Sequence, residues 1–187
     1  MKNPVLPLLL ALLLAAAPLR ASAPSLEAVG TNLAFDAFAV LNLQAHLALA
    51  PRVSLVVPVA WSLWDWRTDL GLRTVALQPR LMYRLGATSR LLHKAGVTVG
   101  AAWYNFRRSH RRYQDTGMPL LCAALAYSCR LPLGERWFAE LSLCAGYAQT
   151  RYREFRNDAD GAELRRGTLR YFGPTELGIS LCYRFGK

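Results

Sequence analysis

Ser109, His110 and Asp115 stand close together, and a hydroxyl, an imidazole and a carboxylate are the groups that nucleophilic catalysis needs. Adjacent Ser and His inside a run of arginines do not offer the geometry of a nucleophile held by an oriented base, so no catalytic residue is assigned. The arginines are the stronger signal. Arg107, Arg108, Arg111 and Arg112 form one cluster, and Arg153, Arg156, Arg165 and Arg166 form a second. Their planar forks suit phosphate or carboxylate, which makes both sets anion-binding candidates; the competing reading is two solvated loops. A third set, Asp36, His46, Arg80, Arg84, Glu140, Glu176 and Arg184, shares its sequence phase with small residues. Asn32, Asn42, Gln44 and Gln78 belong to the same phase. Such groups suit an internal network of ion pairs and hydrogen bonds, because an unpaired interior charge is costly.

Four cysteines, at 122, 129, 144 and 182, lack metal-ligand spacing, and no metal or cofactor is expected. Cys122, Cys144 and Cys182 sit in the small-residue phase and Cys129 in the opposite one, which reads as small fillers. A Cys122–Cys144 disulfide stays open, because sequence alone does not set the register.

Alternation dictates which elements must carry these residues. Leu177, Ile179, Leu181, Tyr183 and Phe185 share one face of a final strand, and Glu176, Gly178, Ser180, Cys182 and Arg184 share the other. The same pattern gives eight segments: 32–39, 42–49, 53–63, 74–85, 96–103, 121–128, 140–147 and the C-terminal stretch. Pro79 predicts a bulge or unpaired backbone, and Phe172-Gly173-Pro174 predicts an interruption of the last strand. Residues 1–23 have one early cation (Lys2), an apolar run and an Ala21-Ser22-Ala23 exit, the layout of a cleaved signal peptide. Residues 24–187 then form one domain.

Apolar faces opposed by charged ones exclude a spanning helix but suit a closed sheet whose charged face turns inward. The expected fold is therefore all-β: an eight-stranded antiparallel up-and-down transmembrane β-barrel following a cleaved signal peptide. Joins at Pro51, 86–94 and 132–134 fall on one side, and polar loops at 65–71, 105–118 and 154–166 on the other. Trp61, Trp64, Trp66, Trp103 and Tyr104 mark outer strand ends, and Trp137 marks an inner turn, where aromatic girdles belong. The formal charge of +11 invites a nucleic-acid reading, which secretion disfavours. Outer-membrane lipid, and lipopolysaccharide phosphates in particular, are the expected partners. The terminal alternation resembles the signal read by barrel-assembly machinery.

Several of these positions carry a family resemblance: Thr31-Asn32-Leu33 with Asp36 and Asn42, the Trp61/Trp64 pair, Leu133-Gly134-Glu135-Arg136, Gly146-Tyr147, and Phe172-Gly173-Pro174-Thr175 followed by Ile179-Ser180-Leu181. On them the chain resembles the domain of unknown function 3575 family of bacterial outer-membrane proteins. The resemblance implies a barrel and an outer-membrane address, and it implies no reaction. A fimbrial or polysaccharide partner is suggested by family association alone. The expected role is structural, adhesive or in surface assembly, and not enzymatic. The alternatives are a barrel enzyme that modifies lipid A and a soluble periplasmic, lipocalin-like carrier whose apolar face would enclose its ligand.

Overall fold

A computed structural model describes residues 24–185 apart from 68, 89, 159 and 160; the expected signal peptide, 1–23, lies outside the described residues. The chain is all-β and antiparallel, with one short helix. In order the elements are β1 (Ser25–Asn32), α1 (Leu33–Ala37), β2 (Leu41–Ala50), β3 (Val53–Arg67), β4 (Leu70–Leu77), β5 (Arg80–Thr88), β6 (Leu91–Arg108), β7 (Arg111–Asp115), β8 (Leu120–Pro132), β9 (Trp137–Arg156) and β10 (Glu163–Arg184). They form a single ten-stranded sheet. Successive strands pair round to β10, which pairs in turn with β1, so the hydrogen bonds run in a ring.

Ten strands stand where eight segments were expected because two segments are broken. β4 and β5 share the place between β3 and β6, separated at Gln78-Pro79. Pro79 has no N–H to give, and its carbonyl accepts instead from Val99 N at 3.3 Å and Thr98 Oγ1 at 2.9 Å. β7 and β8 likewise share the place between β6 and β9, separated by Thr116-Gly117-Met118-Pro119.

The first expected strand, 32–39, is displaced. β1 ends at Asn32, whose side chain caps α1 by accepting from Ala34 N at 3.0 Å. Ala39 then takes a left-handed φ of 53° to turn the chain into β2. The local alternation of 32–39 was compatible with a strand; the Asn cap and Asp36 in the first turn select the helix. Three expected loops are also mostly strand. β3 runs to Arg67 and β4 starts at Leu70, β6 and β7 close around Ser109-His110, and β9 and β10 extend to Arg156 and from Glu163. The expected connector 86–94 shrinks too, since β5 runs to Thr88 and β6 starts at Leu91. Charge did not exclude pairing there, because a strand with water on both faces accepts arginine on either.

β10 is bent rather than interrupted. Its register slips between Pro174 and Glu176, and Gly173 has φ +154°, where a Cβ would lie 2.6 Å from Tyr171 Oη. The interior is crowded by contrast with the long exterior face: a Cβ on Gly96 would lie 1.9 Å from the Leu81 carbonyl oxygen. Val56, Met82, Ala126 and Cys144 form one buried cluster, and Ala28, Phe138 and Cys182 another. Leu125, Leu141, Leu177 and Ile179 point outward, with Leu177 76% exposed.

Candidate functional site

The inward phase places two unlike regions inside the ring. At the end where β1 begins and β10 finishes, Arg130 is 2% exposed and organises the charge. Its Nε donates to Glu140 Oε2 at 2.5 Å, its Nη1 to Glu27 Oε1 at 2.8 Å, and its guanidinium lies 4.4 Å from the Phe138 ring centroid. Its Nη2 meets His46 Nδ1 at 2.6 Å. Arginine can only donate, so Nδ1 accepts and the ring proton sits on Nε2, which faces Cys182 Sγ at 3.7 Å. Lys94 Nζ donates to Ser54 Oγ at 3.0 Å beside this group. Midway along the ring, buried Arg80 donates to Glu176 at 2.5 Å.

Of the expected interior set, His46, Arg80, Glu140 and Glu176 are thus brought into contacts within the ring. Arg184 lies 5.5 Å from the Phe138 ring centroid. Arg84 is exposed at the mouth, lining a cavity of about 280 Å³ with Glu27 and Lys94. Asp36 is elsewhere: it is exposed on α1, where its carboxylate accepts from Thr31 Oγ1 at 2.7 Å and Asn42 Nδ2 at 2.8 Å. Asn42 Oδ1 accepts in turn from Asn32 N at 2.6 Å, so Asn32, Asp36 and Asn42 knot the passage from β1 to β2. Phe172, Gly173, Pro174 and Thr175 make the β10 bend; Thr175 Oγ1 is buried without a partner among the described residues.

Arg130, Glu27 and Lys94 escaped the sequence reading. Arg130 continues the phase Cys122, Ala124, Ala126, Ser128, and Lys94 precedes Gly96 and Thr98 in theirs. Extending each alternation by one step would have found both. Glu27 lay before the first expected strand.

Both arginine clusters sit at the opposite end, on paired strands rather than in loops. Arg107 faces Arg112, Arg112 faces Phe155, and Arg153 faces Arg166, all in the outward phase. Arg108 faces Arg111, Arg111 faces Arg156, and Arg165 faces Glu154, all in the inward phase. Arg107 and Arg73 engage Asp65, Arg111 engages Glu154, and Arg166 engages Glu163. Hydrogen bonding from Arg107, with Arg73 alongside, holds the Asp65 carboxyl below its ordinary value. Arg112 and Arg153 both lie over Phe155, at 4.7 and 5.6 Å.

Trp61 and Trp103 both flank Val75 in register and face outward. Trp64 and Tyr104, expected with them, belong to the inward phase instead, since Trp64 faces Leu72 and Tyr104 faces Thr74. At the other end Trp137, Tyr183 and Phe185 stack edge to face at 5.2 and 5.5 Å.

Asp115 does not join His110. Both its oxygens accept backbone amides, from Tyr104 and Gly117, each at 2.9 Å, at the far end of β7 from His110. The four cysteines are free; in register Cys122 faces Ala148 while Cys144 faces Ala126, so the open Cys122–Cys144 bridge is not made. A family sequence model described as "Protein of unknown function (DUF3575)" matches residues 8–185. No curated protein matches the chain.

Proposed function

We propose, for a chain that belongs to the DUF3575 family of proteins of unknown function, that the ring is an outer-membrane β-barrel with a structural, adhesive or surface-assembly role and no catalysis of its own. One observation carries the reading: the leucines and aromatics face out along the strands while Arg130, Glu140, Arg80 and His46 are buried within. Water penalises the first arrangement, and hydrocarbon rewards it. No helix among the described residues is long and apolar enough to cross a membrane, so crossing falls to the strands. β2, with 10 residues, meets the roughly 9–11 that a tilted crossing needs. The Trp61–Val75–Trp103 row and the Trp137–Tyr183–Phe185 group supply the two aromatic borders.

In this reading residues 1–23 are the export signal, and the final strand hands the chain to the barrel-assembly machinery. Long β9 and β10, of 20 and 22 residues, carry the arginines beyond the bilayer toward lipopolysaccharide phosphates or a fimbrial or polysaccharide partner. A lipocalin-like carrier is disfavoured because its apolar face would enclose the ligand. A lipid-A-modifying activity is disfavoured by the engagement of Asp115 with backbone amides.

Fractionation with unheated and boiled gel samples tests the assignment. A membrane-bound, heat-modifiable band is expected, and a soluble periplasmic product of unchanged mobility would overturn it. Lipid A profiles with and without the gene should match; an altered profile would reinstate an enzyme.

A further inference from the structure

The ring is sealed along only part of its height. β1 pairs with β10 from Ala28↔Arg184 to Asn32↔Ser180, and from Glu163 to Ile179 β10 has β9 as its only strand partner among the described residues. On the facing side β2 begins at Leu41↔Trp61, leaving β3 from Ser62 onward with β4 alone. Among the described residues no strand therefore stands between β3 and β10 above α1. Pro174, which has no N–H, lies on that edge, and Phe172 beside it is 83% exposed. Leu169 pairs with inward-facing Thr150, yet it is 55% exposed, as expected where no strand stands opposite.

Behind the gap lies a cavity of about 450 Å³ lined by Tyr104, Phe106, Tyr113, Leu120, Tyr152 and Leu169, within the size range of small-ligand sites. Tyr104 Oη and Thr150 Oγ1 satisfy one another at 3.2 Å, which leaves that side of the wall without a free polar demand. Above it the inward arginines form a rim. Glu154 engages Arg111 and Asp158 engages Arg156, while Arg108 and Arg165 make no ion pair among the described residues. An apolar cup below a cationic rim, open sideways, matches an amphiphile with a greasy chain and an anionic head.

The geometry points to one occupant: a phospholipid of the surrounding leaflet whose headgroup is net anionic, with its acyl chain entering the cup through the β3–β10 gap while Arg108 and Arg165 take the headgroup. This rests on the membrane reading above, with the foot of the gap at the Trp61 border, where the headgroups and upper acyl carbons of the leaflet lie.

The test uses the full mature chain in nanodiscs containing phosphatidylglycerol with a diazirine on its acyl chain. After photolysis, adducts are expected on inward Tyr104, Phe106 and Tyr152 as well as on outward Trp61 and Trp103. Arg108→Glu with Arg165→Glu should lower the inward adducts on the order of tenfold and leave the outward ones unchanged, because each cation near an anionic headgroup contributes independently. Adducts confined to outward residues would overturn the proposal while leaving the membrane reading intact. Equal inward labelling by the phosphatidylcholine analogue would overturn the role of the rim. Absence of adducts on both faces, together with no heat-modifiable band, would remove the membrane reading itself.

Discussion

Arg130 illustrates how a single side chain can hold an interior together and why removing it is worse than never having had it. Truncation to Met would leave Glu140 and Glu27 facing each other with their guanidinium gone. Breaking such a buried pair costs about 3–5 kcal/mol, whereas replacing both partners by apolar groups is often nearly neutral. Arg130→Met should therefore lower unfolding stability in urea by that amount, and Arg130→Met with Glu140→Leu should recover most of it; equal losses in both would refute the pairing. Asp65, beyond the Trp61 row, offers a test outside the proposed membrane span. Its folded-state carboxyl is held low by Arg107, so its contribution is complete above the ordinary carboxylate range and fades as pH falls through the depressed folded value. The melting difference between wild type and Asp65→Asn should be present at neutral pH and vanish in strong acid. At this scale the sequence was readable where charge shared a phase with small residues, as with His46, Arg80, Glu140 and Glu176. Asp36 misled because it shares that alternation while sitting on a helix, where period two no longer tells inside from outside.

Elements were readable in their middles and misjudged at their ends. β2, β3, β8 and the C-terminal part of β10 follow the apolar alternation directly, because one face meets the crowded interior and the other does not. Beyond the aromatic rows that contrast disappears, and Arg107 and Arg108 or Arg153 and Glu154 alternate between two polar surroundings. Hydropathy has no contrast left to report, so the long hairpins looked like loops. Where the interior is tight, size becomes the constraint. Gly96→Val should cost about 1–3 kcal/mol through displacement of β5, since its Cβ would collide with the Leu81 backbone rather than a movable side chain. Gly86, with open space around its would-be Cβ, provides the control: Gly86→Ala should refold and melt like the parent.

For the molecule as a whole the distinguishing quantity is the solvent outside it. Leu125 is 71% exposed at mid-strand, with Val97 and Ala145 beside it in register. In water, Leu125→Arg would change stability by no more than about 0.5 kcal/mol. Facing the bilayer midplane it should cost about 2–4 kcal/mol, measurable by reversible unfolding in vesicles. The filled interior has its own consequence for transport. With Arg130, Glu140, Phe138 and His46 meeting across the ring, planar-bilayer recordings should show no steady open channel, and a stable conductance would contradict the plug.

The rungs from Ala28↔Arg184 to Asn32↔Ser180 join the first strand to the last. Every other neighbouring pair can zip up from a nearby turn, but this one must wait for a chain whose two ends have met, the slowest kind of contact to find. Assembly therefore has a final step with a natural intermediate: a curled ribbon with two raw borders, which under the proposed outer-membrane assembly would accept a helper's strand until its own beginning displaces it. Deleting 180–185 would arrest the molecule at that stage.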